Sequence, residues 1–395
     1  MAAPVRLLIV GTGGMAKNHA EGFSAIPGVT VVGGVDTRPA QLAAFQEAHG
    51  IPHGFASIDD ALRWGEFDAV TNVTPDAAHY ATTLPFLAAG KHVLCEKPLA
   101  TNEAAAAEMA AAADKAGVVN MVNLSYRNVA ALQHAAKMVR DGAIGTIRHF
   151  EASYLQSWLT QDAWGAWDKE SQWLWRLSTA HGSKGVLGDV GIHILDFATF
   201  IAGLEATEVS CRLATFDKAA GGRIGDYVLD ANDSATMQIV LSNGALGTVA
   251  ATRFASGHHN DLKLRLYGTK GGLEVQFERN TSRLRICRTA DLVSAEWHEV
   301  DCPEVPNIYT RFIAAIRGEG PAEPSFDRGA ALRLALRRGG DMQIRHGLQH
   351  IVQHLQEHRL PISKHACFLH VNMQNILNVQ IAFLPPNFSK FENLL

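Results

Sequence analysis

Residues 5–10, VRLLIV, form an unbroken apolar run that ends at a glycine, the pattern of a strand buried on both faces of a parallel sheet. A second run at 29–35 repeats it, and apolar runs then alternate with segments of helical period. The alternation predicts helices at 39–49, 76–89 and 103–116, and strands at 68–73, 92–95 and 118–124. Strands and helices in that order predict a doubly wound parallel sheet over residues 1–124.

The rhythm changes after residue 124. A helix at 127–140 stops at Arg140-Asp141-Gly142, and sheet-like runs follow at 147–154, 234–241, 245–254, 262–267 and 273–277. Asn243-Gly244 marks a hairpin between two of them. These runs predict a second α/β domain over 125–335, broken by a long glycine-rich, charged loop at 217–233. Residues 336–395 differ in composition: they hold only two alanines, Ala366 and Ala382, in a chain otherwise rich in them. A helix expected at 341–358 repeats His346, His350, His354 and His358, out of phase with the stripe Ile344, Leu348, Ile351, Val352 and Leu355. The offset puts the histidines on the solvent side, so this third segment reads as an atypical helix and tail rather than a metal site.

Composition narrows the partners. A chain of 395 residues with 47% hydrophobic and 19% charged residues fits a soluble protein of about two domains. A net charge of −4 argues against nucleic acid or an anionic membrane as the main partner. No apolar run reaches the roughly 18 residues of a membrane span, and nothing reads as a signal peptide. The five cysteines form no CxxC pair, a reduced, cytoplasmic pattern.

Chemistry enters at the strand ends. Gly11-Thr12-Gly13-Gly14-Met15-Ala16 follows the first strand and matches G-x-G-x-x-A, a turn that lets backbone approach a pyrophosphate at the next helix N-terminus. Asp36 closes the second strand, where an acidic residue accepts the ribose hydroxyls of NAD and repels a 2′-phosphate. Thr37 and Arg38 directly behind it leave NADP disfavoured but open, because Arg38 offers a stacking or phosphate-pairing group. Thr74-Pro75 ends a strand at the edge where such sheets bind ligands, and His79, one turn on, reads as a packing or capping residue. Cys95-Glu96-Lys97-Pro98 puts a lysine at the same edge. In the stretch 185–196, GVLGDVGIHILD, Asp189, His193 and Asp196 stand at i, i+4 and i+7, one face of an ideal α-helix. A carboxylate one turn from an imidazole is either a buried structural pair or an acid/base pair. Five of the seven tryptophans fall within 158–175, which reads as a ligand wall or an oligomer interface. His258-His259 lacks a third ligand at suitable spacing, so no metal is expected.

GTGGMA after the first strand, EKPLA around Lys97 and GDVGIHILD together resemble the Gfo/Idh/MocA oxidoreductases. Asn123-Leu124-Ser125-Tyr126-Arg127 is similar to their domain junction, Trp175-Arg176 to the loop before their catalytic helix, and Leu266 to Gly271 to a late strand-turn. The resemblance implies an N-terminal Rossmann domain and a C-terminal α/β domain with an open, mainly antiparallel sheet whose exposed face makes a homodimer or homotetramer. It implies Lys97, Asp189 and His193 as the catalytic group. Gly11, Thr12, Gly13, Gly14, Met15, Asp36, Thr37, Arg38, Thr74, Pro75, His79, Glu96, Lys97 and Asn123 would surround the dinucleotide. Tyr126, Arg127, Trp158, Trp175 and Arg176 would join the catalytic group around the substrate. Ser183-Lys184-Gly185 departs from the glycine run of relatives. The implied activity is NAD(P)-dependent oxidation or reduction of a sugar, sugar derivative or cyclitol at a secondary alcohol or ketone. His193 would take the hydroxyl proton, Lys97 would bond the oxygen, and Asp189 would orient His193 or a neighbouring hydroxyl. Two alternatives stay open: an NAD-dependent glycosidase on the same scaffold, and a non-catalytic dinucleotide-dependent regulator.

Overall fold

The computed structural model describes residues 3–337 and two short paired strands, Leu369–His370 and Gln380–Ile381. The helix expected at 341–358, its histidines and most of the tail lie outside the described residues.

The first unit runs β1 (Val5–Val10), α1 (Gly14–Ser24), β2 (Val29–Val35), α2 (Pro39–His49), β3 (His53–Phe55), α3 (Ile58–Trp64), β4 (Ala69–Asn72), α4 (His79–Ala88), β5 (His92–Glu96), α5 (Glu103–Ala116) and β6 (Asn120–Asn123). Its six strands are all parallel, in the order β3-β2-β1-β4-β5-β6. The order reverses beside β1, so the crevice at the carboxyl ends of β1 and β4 is the expected ligand edge. The expected elements stand, with small end shifts. The short β3 and α3 were not foreseen: HGF is too brief for a period, although Ser57 caps α3 by accepting from the Asp60 amide.

The second unit continues with α6 (Ala130–Arg140), β7 (Ile147–Gln156), α7 (Ser171–Leu174), α8 (Ile192–Ala202), β8 (Ala206–Ala214), β9 (Arg223–Ile224), β10 (Tyr227–Val228), β11 (Ser234–Leu241), β12 (Leu246–Thr252), β13 (Asn260–Gly268), β14 (Gly271–Glu278), β15 (Thr281–Arg288), α9 (Asp291–Ser294), β16 (His298–Val300) and α10 (Ile308–Ile316). Eight strands form one sheet, β16-β15-β14-β13-β7-β12-β11-β8, antiparallel except between β7 and β12. Helices α6 and α8 cover one face of it. The 217–233 loop is a correction in part, because it contains the β9–β10 ribbon. That ribbon packs with the tryptophan-rich segment around Trp158, Leu177 and Leu229 in a small separate core.

α10 returns to the first unit. Its Tyr309 and Phe312 rings lie 5.0 and 6.1 Å from Phe23 of α1, and a side chain at Gly22 would collide with Tyr309. Residues 326–337 are helical and add Phe326, Leu332 and Leu336 to the main core. The two units therefore share apolar contacts through both of these segments.

The 185–196 stretch departs from an ideal α-helix. Leu187–Gly191 is a π-helical turn, which leads straight into α8. The wider turn breaks the single stripe expected of Asp189, His193 and Asp196, as such turns do near functional sites. Asp196 leaves the group altogether. Its buried carboxylate accepts from buried Arg127 Nε and Nη2 at 2.7 Å each and from part-buried Arg328 Nε at 2.9 Å. The expectation that Arg127 meets substrate is corrected in the same way: it is a structural cation, with its guanidinium 3.5 Å from the Phe200 ring centroid.

Removing one member of such a cluster leaves uncompensated charge in the core. Asp196→Ala is expected to cost about 3–5 kcal/mol of unfolding free energy, read from urea denaturation by circular dichroism. A change under about 1 kcal/mol would show that the cluster does not hold α8.

Candidate active site

β5 ends at Glu96, and the chain turns there so that Lys97 leaves the first sheet toward α8 of the second unit. Lys97 Nζ donates to Asp189 Oδ1 at 3.1 Å and to the Asp189 carbonyl at 3.3 Å. The other oxygen, Oδ2, accepts from Arg176 Nη1 at 3.0 Å and Arg253 Nη2 at 3.3 Å. Arg253 is wholly buried, and its Nη1 donates to the Arg176 carbonyl at 3.1 Å. Burial alone would push the Asp189 carboxyl up, but Lys97, Arg176 and Arg253 hold it well below the usual carboxylate range. Burial likewise opposes the Lys97 charge, and Asp189 beside it more than restores it, so its pKa is raised.

His193 lies one turn further along and makes no hydrogen bond to Asp189. The expectation that Asp189 orients this imidazole is corrected: its two oxygens are directed to three cations. Tyr126 sets the ring instead, edge-on at 5.0 Å between centroids. Tyr126 shares a hydroxyl–hydroxyl bond with Tyr154, and Asn260 Nδ2 donates to the Tyr126 oxygen at 2.6 Å. Burial first, and the nearby Lys97 charge second, push the His193 pKa down to about 3. The imidazole is therefore neutral at ordinary pH and ready to accept a proton.

These groups open on a cavity of about 250 Å³ lined by Lys97, Tyr154, Gln156, Trp158, Trp164, Trp173, Arg176, Asp189, Val190 and His193. Three tryptophans of the segment, Trp158, Trp164 and Trp173, wall this cavity. Trp158, Lys97, Arg176, Asp189 and His193 stand where the sequence put them. Trp175 does not line the cavity; with Arg176, Ser183, Lys184, Asp76 and Arg253 it bounds a small adjoining recess. Tyr126 backs His193 without lining the cavity. Tyr154 and Gln156 were missed, although they stand two apart at the end of β7, the strand period that points both to one face. Trp164 and Trp173 belonged to the noted cluster without being singled out. Arg253, just beyond β12, carried no local signal.

The dinucleotide edge is built on β1, β2 and β4. Gly11 has φ +87°, and a Cβ there would lie 2.9 Å from the Val73 and Thr74 backbone, so only glycine lets the loop pass. A Cβ on Gly14 would meet nothing within 4 Å, and α1 starts without a side-chain cap. Open space over free helix-start amides fits a pyrophosphate. Met15 is exposed beside it. Asp36 needs a correction. Its carboxylate is buried and already accepts from the Thr12 amide and hydroxyl at 2.9 and 2.8 Å and from Arg38 Nε and Nη2 at 3.0 Å each. Ribose hydroxyls reach it only as Arg38, whose side chain is exposed, swings away. Thr37 continues this strand end. Thr74 donates to Asn72 at the β4 end, and Pro75 follows it on the same edge. His79 is buried between the Pro98 and Thr74 carbonyls, 2.8 Å from each, tying the β4 and β5 ends together rather than facing a cofactor. The Glu96 and Asn123 side chains also turn inward: Glu96 Oε1 meets His19 Nε2 at 2.9 Å and Asn123 Nδ2 at 2.6 Å. The trio Asp291, Glu296 and His298 has metal-type donors but sits at the β15–β16 edge, away from the cavity. His258 pairs with Asp261 at 2.7 Å.

Comparison with known proteins accords with this geometry. Residues 5–124 match the oxidoreductase family with an NAD-binding Rossmann fold, and residues 132–274 match the GFO/IDH/MocA C-terminal domain. The levoglucosan dehydrogenase of Pseudarthrobacter phenanthrenivorans is 29% identical over 296 residues, 69% of this chain and 73% of that one. The D-glucoside 3-dehydrogenase of Escherichia coli is 30% identical over 254 residues, 62% of this chain and 69% of its own. A solved oxidoreductase domain protein from Kribbella flavida superimposes with a TM-score of 0.76 at 30% identity, over 88% of this chain and 98% of that one. A levoglucosan dehydrogenase solved with NADH and levoglucosan shares the fold at a TM-score of 0.75 and 24% identity, over 87% and 98% of the two chains. On both of its domains, the chain belongs to the GFO/IDH/MocA family of oxidoreductases.

Proposed function

We propose that this oxidoreductase is an NAD-dependent dehydrogenase acting on a secondary alcohol of a sugar, sugar derivative or cyclitol. The observation that carries the reading is the meeting of Lys97, Asp189 and a neutral His193 on one tryptophan-walled cavity. The sugar and cyclitol specificities of the relatives support it, among them an inositol 2-dehydrogenase of Rhizobium meliloti that is 26% identical. A bound nicotinamide dinucleotide supplies hydride acceptance. Gly11, Gly13, Gly14 and the start of α1 would hold its phosphates, and Asp36 with Arg38 its adenosine ribose.

The rest falls to this chain's own side chains. His193, uncharged, accepts the substrate hydroxyl proton at its cavity-facing nitrogen. Lys97, kept cationic by Asp189, donates to the same oxygen and stabilises alkoxide charge as it develops. Asp189 fixes Lys97 from the far side, so the ammonium is aimed before substrate arrives. Trp158, Trp164 and Trp173 present flat apolar faces to ring C–H groups and exclude water. Asp36 favours NAD over NADP. No helix among the described residues is long and apolar enough to cross a membrane. The reading includes a cytoplasmic homodimer or homotetramer, supported by unpaired Cys95, Cys211, Cys287 and Cys302 and by the open face of the second sheet.

Lys97→Met and His193→Ala should each lower turnover about 10²–10⁴-fold, with NAD affinity nearly unchanged in the histidine variant. Net NADH formation with a sugar or cyclitol panel is the readout. Near-normal turnover in His193→Ala would remove it from the mechanism, and aglycone release without net NADH would favour the glycosidase alternative. The pH dependence follows from the buried imidazole. Protonation would silence the base only as pH approaches about 3, so kcat/KM for oxidation should lack an acid limb between pH 8 and roughly 5. An inflection near 6.5 that vanishes in a His193 variant would contradict a desolvated base.

A further inference from the structure

The direct ion pairs around the cavity are unevenly shared. Lys97, Arg176 and Arg253 bring three positive charges to the single carboxylate of Asp189. Glu96 lies behind Lys97, accepting from its amide at 3.1 Å, and offsets one more cation. Asp76, on the adjoining recess, adds its charge to the field at Lys97, and Lys184 beside it is exposed to solvent. Asp233 pairs with buried Lys218 and also adds its charge to the field at Arg253.

The cation that offers an unbonded edge to the cavity is Arg176. Arg253 is wholly buried and does not line the cavity, and Lys97 is aimed at the reacting oxygen. Arg176 lines both the cavity and the recess, and only Nη1 of its guanidinium is bonded to a described residue. Its plane is steadied by Trp175, whose ring centroid is 4.8 Å away. A planar, always charged fork held on an aromatic face, with its remaining N–H donors unbonded, is suited to a carboxylate. The cavity, about 250 Å³, is at the small end for ligand sites and suits a monosaccharide-sized molecule.

We propose that the preferred substrate is a sugar acid, with its carboxylate received by Arg176 while Lys97 and His193 act on a ring hydroxyl. The proposal rests on the dehydrogenase reading above and adds a charge to its substrate class. Matched pairs test it: D-glucose with D-glucuronate, D-galactose with D-galacturonate, and D-mannose with D-mannuronate. Each is assayed for NADH formation by the full chain with NAD, and for binding to the enzyme–NADH complex by calorimetry. In at least one pair the acid should exceed its neutral partner by roughly 10- to 100-fold in kcat/KM or affinity, the range of a charge-assisted hydrogen bond. That ratio should collapse toward one in Arg176→Gln and be partly kept in Arg176→Lys, whose charge survives. Turnover of neutral sugars with no acid preferred in any pair would overturn the proposal and leave the dehydrogenase reading standing. Acids bound tenfold tighter but never oxidised would support the anion site and sink the dehydrogenase reading instead. Equal binding throughout, or a preference untouched in Arg176→Gln, would also overturn it.

Discussion

Three cations converge on the carboxylate of Asp189, and the site is laid out around that convergence. Lys97 comes from a strand end of the first sheet, Arg176 from the tryptophan segment, and Arg253 from just beyond β12 of the second sheet. A charged cluster built around a fully buried arginine persists only when its members are paired and fixed. The cost of exposing any of them to an unpaired state therefore holds the two units in one relation. The same constraint serves chemistry. An ammonium pinned by a carboxylate cannot wander, and burial, with that ammonium second, keeps His193 free of its proton.

Much of this was legible in the sequence because the signals are local. The first sheet is readable from apolar runs of strand length, and the glycine turn from residues only that backbone tolerates. Lys97, Asp189 and His193 were found as strand-end and helix-spacing motifs. The relation between the last two was not. An i, i+4 spacing assumes an ideal α-helix, and the π turn at Leu187–Gly191 changes what each residue faces. Arg127 was expected at the substrate, and Asp196 on one stripe with Asp189 and His193, because a charge beside a motif carries no mark of its direction. Their partners lie 69 positions apart in sequence and still further off, at Arg328. Long-range pairing of that kind is invisible to periodicity.

Residues such as Tyr154, Gln156 and Arg253 were missed for the same physical reason. Each sits at the end of a second-sheet strand, and which strand ends cluster depends on sheet order. The order places β7 at the centre, between β13 and β12, so its end faces α8. The dinucleotide edge shows the converse case. Asp36 was found, yet its engagement with Thr12 and Arg38 adds a displaceable arginine that the motif alone does not reveal.

The central role of Asp189 is open to one direct measurement: the deuterium isotope effect on turnover, using substrate labelled at the oxidised carbon, for the native chain and Asp189→Asn. With the ammonium no longer held, the hydride step should slow by roughly 10²–10³-fold and become limiting, so the isotope effect on kcat rises. A folded Asp189→Asn protein with native turnover and an unchanged isotope effect would show that the carboxylate does not organise the site.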